Sequence, residues 1–193
     1  MKNSLFLFIF IIVILISTLF VPVISVVDCN NINYTYNYPI SYNGEYIWPI
    51  PGHTKISSPF GKRKSPTSGA STYHKGTDIP APVGTPLYAV ADGYITFTDF
   101  LGGGGYTITL SISEEIKVTY CHVSPEYIVS KGDFVEQGQQ IGNVGPKNVY
   151  GVAGNKYKDT NGNPTNGATT GPHLHIGFRI NGKYVNPMDY LSY

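Results

Sequence analysis

The sequence predicts an all-β domain, mostly antiparallel, with a two-sheet, barrel- or sandwich-like architecture and glycine-rich turns. Three observations carry that expectation. The body of the chain breaks into short runs in which apolar and polar side chains alternate, the period of a half-buried strand. Turn formers separate these runs, drawn from 22 Gly and 14 Pro in 193 residues. No stretch after residue 50 keeps the 3.6-residue apolar period of a long helix.

Taken in order, residues 1–27 stand apart. Lys2 is followed by residues 5–27, apolar except for Ser and Thr. The positive start, apolar run and small Ser25 fit a secretory signal peptide cut after "VIS". The same run is long enough to serve as an uncleaved membrane anchor. On either reading the remainder is exported, secreted or anchored with its domain outside. Residues 28–50 are rich in Asn and Tyr without a clear period and read as a linker or strap lying on the domain. Residues 51–193 form the domain. "TPLYAVADGYITFTDF" holds two strands around an "ADG" turn, and "GYTITLSI" and "IKVTYCHV" pair as a hairpin across "SEE". "GDFVEQGQQIGNVG" carries regularly spaced glycines, and "HIGFRINGKYVNP" is a strand, an Asn-Gly hairpin turn and a second short strand. Residues 146–170 interrupt this texture as a long polar loop, the kind that serves function inside a compact domain.

Composition excludes some functions. With 13 Lys+Arg against 12 Asp+Glu and no basic stripe, nucleic acid is not an expected partner. "DTNGNPTNG" superficially resembles a calcium loop, but Pro164 stands where the loop's glycine is required and no Glu closes it. "LGGGGY" at 101–106 precedes a strand and lacks a following Lys-Ser/Thr, so it is not a phosphate loop. Cys29 and Cys121 can form one disulfide in an exported chain but not a disulfide framework.

The chemistry concentrates in the five histidines. In "GPHLHIGF" His173 and His175 are two apart. On a strand such residues share a face about 6.6 Å apart, with Leu174 turned into the core. In "YHKGTDIPAP" His74 and Asp78 are four apart, with Gly76 and Pro80 arguing against a helix. In an extended segment they again share a face, and imidazole plus carboxylate suits zinc. In "YCHVSP" strand alternation turns Cys121 and His122 to opposite sides, so Cys121 is expected in the core or in a disulfide and His122 toward the site. Each pair alone is weak; ordinary strand histidines and a turn aspartate explain them equally. His53 reads as a surface residue without a role.

Together with "SSPFGKR", "VEQGQQIGNVG" and "TGPHLHIGFRINGKYVNPMDYL", these segments follow one another as in the lysostaphin/LytM-type zinc endopeptidases, which cut peptides of bacterial peptidoglycan, and the chain resembles that family over roughly residues 51–193. The resemblance implies one Zn2+ per chain held by His74, Asp78 and His175. It implies His122 and His173 as the catalytic pair, and cell-wall cross-bridge or stem peptides as substrate, acted on by a monomer that meets a membrane only through an uncleaved N-terminal segment. Cys121 departs from the small residue usual in that motif. The loop 146–170 is longer than the usual connection and is expected to form one wall of the cleft. Two other readings compete. One is a non-catalytic member of the fold that binds wall or activates an amidase, which the complete histidine set disfavours. The other is a biotinyl- or lipoyl-type carrier, for which no lysine is suitably placed. Some relatives are held latent by an upstream asparagine, for which Asn30, Asn31, Asn33, Asn37 and Asn43 are candidates.

Overall fold

One eight-residue strand, His173–Ile180, organises the molecule. The computed structural model describes residues 45–192. In chain order the strands are β1 (Tyr46–Ile47), β2 (Gly61–Lys62), β3 (Tyr73–His74), β4 (Thr77–Pro80), β5 (Pro86–Tyr88), β6 (Gly93–Phe100), β7 (Tyr106–Ser111), β8 (Ile116–Cys121), β9 (Phe134–Val135), β10 (Gln140–Asn143), β11 (His173–Ile180), β12 (Lys183–Val185) and β13 (Leu191–Ser192). No α-helix occurs among the described residues; the 3₁₀ turns are Gly102–Gly104 and Pro187–Asp189. The apolar segment 5–27, the candidate asparagines and Cys29 lie outside the described residues.

The main sheet has seven strands, all antiparallel, in the order β12-β11-β8-β7-β6-β9. The seventh, β4, pairs with the first half of β11 on the edge that β12 takes along its second half. Pairs β2–β3 and β5–β10 are antiparallel, and β1 runs parallel to β13. The expected all-β, antiparallel class therefore holds. Its form is one large sheet with three two-stranded companions, and no closed barrel.

Alternation decides which face of the large sheet is dry. Val118 and Tyr120 on β8, and Leu174, Ile176 and Phe178 on β11, are all 0 % exposed. They join Ile95, Ile108 and Leu110 in one core with Leu87, Val90, Ile141 and Val144. Trp48 and Ile50, inside the segment read as a strap, belong to the same core. The buried Tyr120 hydroxyl is satisfied there, accepting from the Val90 amide at 3.0 Å and donating to the Tyr88 carbonyl at 3.2 Å. The intervening residues, Thr119 and Cys121 on β8 and His173, His175 and Gly177 on β11, look out from the opposite face onto a groove. The β7–β8 and β11–β12 hairpins form where the sequence placed them. The latter turns on Asn181 and Gly182, both at positive φ (49° and 75°), the conformation a two-residue hairpin demands.

Burying a Leu or Ile side chain contributes roughly 1.5–3 kcal/mol, so Leu174 anchors the very strand that presents both neighbouring histidines. Leu174→Ala is expected to lower the unfolding free energy by about 2–5 kcal/mol, measured by urea denaturation.

Candidate active site

The ladder between β4, β11, β8 and β7 lays one row across the sheet: Asp78, His175, Cys121 and Thr107 are successive register partners. Residues in such a row point to the same face. Asp78 and His175 are therefore neighbours by hydrogen-bond register, although 97 positions separate them in the chain. The β2–β3 pair brings His74 over the same point. His74 Nε2 lies 2.9 Å from His175 Nδ1 and 3.1 Å from Asp78 Oδ1, and His175 Nδ1 lies 2.8 Å from Asp78 Oδ1.

The hydrogen bonds behind these atoms fix what they offer. His74 Nδ1 is 2.9 Å from the Pro59 carbonyl, which can only accept, so the proton sits there and Nε2 presents its lone pair. Asp78 Oδ2 accepts from Arg63 at 2.9 Å, and the same guanidinium donates to Ser58 Oγ at 2.6 Å. That leaves Oδ1 for the centre of the cluster. Burial alone would raise the Asp78 carboxyl, but the His173, His175 and His74 rings clustered round it outweigh this, and it is held well below the usual carboxylate range. His175 is shifted the other way from its hydrogen-bonding preference: burial lowers its pKa, and the neighbouring histidines add to this against the pull of Asp78. An imidazole nitrogen, a carboxylate oxygen and a second imidazole nitrogen thus converge within about 3 Å of one another. Two His nitrogens and one carboxylate oxygen with a vacant side facing a groove form a donor set that suits a tetrahedral cation with one position left open.

His122 and His173 stand beside this cluster, ring centroids 4.6 Å apart. Both are tied through Nδ1 to backbone carbonyls, His122 to Asn166 at 2.7 Å and His173 to Gly171 at 2.9 Å. Each ring consequently turns Nε2 away from those carbonyls. His173 Nε2 lies 3.6 Å from Asp78 Oδ1. Burial, with the charges of His173 and His175 adding to it, lowers the pKa of His122 to about 3, so this ring is neutral at neutral pH.

His122 reaches the groove by a route the sequence did not reveal. Strand β8 ends at Cys121, and His122 has φ of 58°, a strained conformation for a side chain of this size. Three hydrogen bonds hold it there: its amide donates to Gly104 at 2.8 Å, its carbonyl accepts from Gly145 at 2.9 Å, and its ring donates to Asn166. The turn breaks the alternation, so Cys121 and His122 share the groove side. The expectation of a core cysteine is corrected accordingly. Cys121 lies outside the apolar core, in the row with His175, under the Gly102–Gly104 turn. It is a free thiol, and burial, reinforced by the Asp78 charge against a hydrogen bond from Thr107, pushes it up to about 12. A thiol so far from ionisation is no nucleophile, so the dismissal of a thiol mechanism stands on different grounds.

The groove encloses about 590 Å³. One wall comes from the segment between Ser57 and Lys75, the other from Leu101–Gly104 and Ala168–Pro172. The end of the long loop thus supplies wall residues, as expected. Tyr157, earlier in that loop, reaches over to contact Gly69 and approaches Gly103 with its hydroxyl. Asp159 caps the loop internally, accepting from the Asn161 and Asn163 amides. His53 is not in the groove; its carbonyl accepts from the Trp48 indole.

Two features escaped sequence reading. Arg63 and Ser58 form the layer that orients Asp78 and His74. Asn166, fully buried, accepts from the Tyr106 amide at 2.7 Å and donates to the Val123 carbonyl at 3.0 Å while its own carbonyl holds His122. The "LGGGGY" segment explains itself here. A Cβ on Gly105 would lie 2.2 Å from Asn166 Oδ1 and one on Gly167 2.3 Å from the Gly105 amide, so only glycines let the loop seat this close. A glycine-rich stretch followed by a strand was the available signal; its partner, 60 residues on, was not.

The profile described as Peptidase family M23 matches residues 72–187. The chain is 38 % identical over 136 residues to the DD-carboxypeptidase/endopeptidase Mpg of Neisseria meningitidis, covering 70 % of this chain and 27 % of that protein. It is 33 % identical over 134 residues to the peptidoglycan DD-endopeptidase ShyC of Vibrio cholerae, covering 69 % and 26 %. The chain thus spans about a quarter of the length of these curated relatives. Among solved structures, the catalytic domain of lysostaphin from Staphylococcus simulans superposes with a TM-score of 0.54 at 28 % identity, covering 70 % of this chain and 90 % of that one. A zinc-containing peptidase from Vibrio cholerae gives 0.59 at 28 %, covering 75 % and 40 %.

Asn166→Ala would strand two buried backbone groups, each costing about 1–3 kcal/mol when unpaired. The expected outcome is a lower urea midpoint.

Proposed function

The chain belongs to peptidase family M23, and from that premise we propose that it is a zinc-dependent metalloendopeptidase hydrolysing peptide bonds in bacterial peptidoglycan. The observation that carries this reading is the convergence of His74 Nε2, Asp78 Oδ1 and His175 Nδ1 beside two further imidazoles, at the floor of an open groove. When bound by those three atoms, zinc supplies a lowered water pKa and polarisation of the scissile carbonyl.

The chain's own residues do the rest. Arg63 and Pro59 fix the ligand atoms by occupying the far sides of Asp78 and His74. His122 and His173, each held in one tautomer by a backbone carbonyl, present Nε2 to the groove. One ring, neutral, accepts the proton of the attacking water at Nε2; the other, carrying a proton at Nε2, donates it to the oxyanion or to the leaving amine. The Ala168–Pro172 wall and the segment from Ser57 to Lys75 hold the peptide between them. Residues 5–27 support export, with the domain acting outside the membrane as a secreted or anchored enzyme.

The test is incubation of the zinc-loaded full chain with purified peptidoglycans of several cross-link types, reading new amino termini. Cleavage of at least one wall type, abolished by a chelator and reduced about 10²–10⁴-fold in His122→Ala, is expected. Zinc bound with no wall cleaved would overturn the reading in favour of a binding or activating protein. Arg63→Met frees Asp78 Oδ2 without touching a donor atom, and zinc affinity should fall about 10–100-fold, measured by competition with a chromophoric chelator.

A further inference from the structure

Beyond the histidines, the groove floor leads to a concentration of positive charge that the proposed chemistry does not use. On β11 the residues sharing the face of His175 are Gly177 and then Arg179; on β8 they are Thr119 and then Lys117. Arg179 and Lys117 are direct register partners, and Arg179 is also the partner of Tyr184 on β12. The sheet therefore sets two cations opposite each other on one face, an arrangement that by itself destabilises a ladder. A third joins them. Lys75, from the β3–β4 turn, places Nζ 5.1 Å from the centre of the Tyr184 ring, against which the Arg179 guanidinium lies at 6.0 Å. Lys75 and Tyr184 both line the groove. Among the described residues no carboxylate makes an ion pair with Lys75, Lys117 or Arg179. Glu115, adjacent in the β7–β8 turn, accepts instead from the Ser113 hydroxyl.

We infer that Lys75 and Arg179, which flank Tyr184, and Lys117, the register partner of Arg179, form a subsite for a carboxylate of the peptide substrate. The inference rests on the proposed function, because it takes the groove to be a peptide channel, and it narrows the substrate class. Arg179 is four residues along β11 from His175, about 13 Å at strand rise. A peptide lying extended on the floor would bring an anionic group to the cations three or four residues from the bond under attack. Neutral glycine bridges have no internal group to offer there, whereas stem peptides carry side-chain and terminal carboxylates. The aromatic ring holds the two long cationic side chains extended, so less freedom is lost when the anion binds.

The probes are acetylated L-alanyl-γ-D-glutamyl-L-lysyl-D-alanine and the same peptide with both carboxylates converted to amides, fluorescently labelled. Binding to the full-length His122→Ala chain is measured by anisotropy at low and moderate salt. The carboxylate peptide is expected to bind on the order of tenfold more tightly, with the difference shrinking as salt rises. Arg179→Gln combined with Lys75→Gln should remove the preference while thermal midpoints stay unchanged. Equal affinity for the two peptides, no binding of either at millimolar concentration, or a preference that survives both substitutions would overturn the inference. Wall cleavage by the unmutated chain, measured in parallel, separates the two ideas. Cleavage without a carboxylate preference leaves the peptidase standing and removes the subsite; a preference without cleavage does the reverse.

Discussion

The register of β11 against β4 is the constraint on which the site depends. It sets His175 opposite Asp78 and, on its other edge, opposite Cys121. A slip of one residue would turn both histidines into the core and expose Leu174 and Ile176 in their place. The apolar residues therefore protect the polar geometry: the free energy that buries Leu174, Ile176 and Phe178 is what holds two imidazoles to the groove. A His-Asp-His cluster assembled from distant segments is in this sense a by-product of a well-buried strand.

Around that row, the molecule restrains each donor from behind. Pro59 holds His74, Arg63 holds Asp78, Asn166 holds His122 and Gly171 holds His173. Each restraint fixes a tautomer or an unused oxygen and so selects the atom that faces the groove. The restraints on His122 carry an additional load, since this residue keeps a left-handed backbone conformation. Strain of this sort persists only when the surroundings over-determine it. Here the surroundings are the Gly102–Gly104 turn, Gly145 and the far end of the long loop, which dock on one another through contacts too close for any side chain.

The same loop links the histidines to the shape of the groove. Its last residues contribute groove wall, its Asn166 positions an imidazole, and its Tyr157 crosses toward Gly69 on the opposite wall. Lengthening this connection while keeping its C-terminal anchor leaves the histidine cluster intact and changes the space above it. Charge at the other part of the floor, around Tyr184, is set by the sheet itself. The groove is consequently shaped by a long loop on one side and by strand positions on the other.

What the sequence determined by itself was whatever obeys a local period. Alternation gave the all-β class, the Asn-Gly dipeptide gave the β11–β12 turn, and spacing of two placed His173 and His175 on one face with Leu174 behind them. Motif order extended this to His74, Asp78 and His122, because residues that act together can be recognised together even when nothing local joins them. Tertiary structure decided the rest. Cys121 was misplaced because alternation fails where a strand ends, and only the contacts of Gly104, Gly145 and Asn166 make His122 turn. The roles of Arg63 and Asn166 were invisible because they lie in which distant carboxylate or ring these residues meet, and a hydrogen bond across 15 or 44 positions leaves no period in the chain.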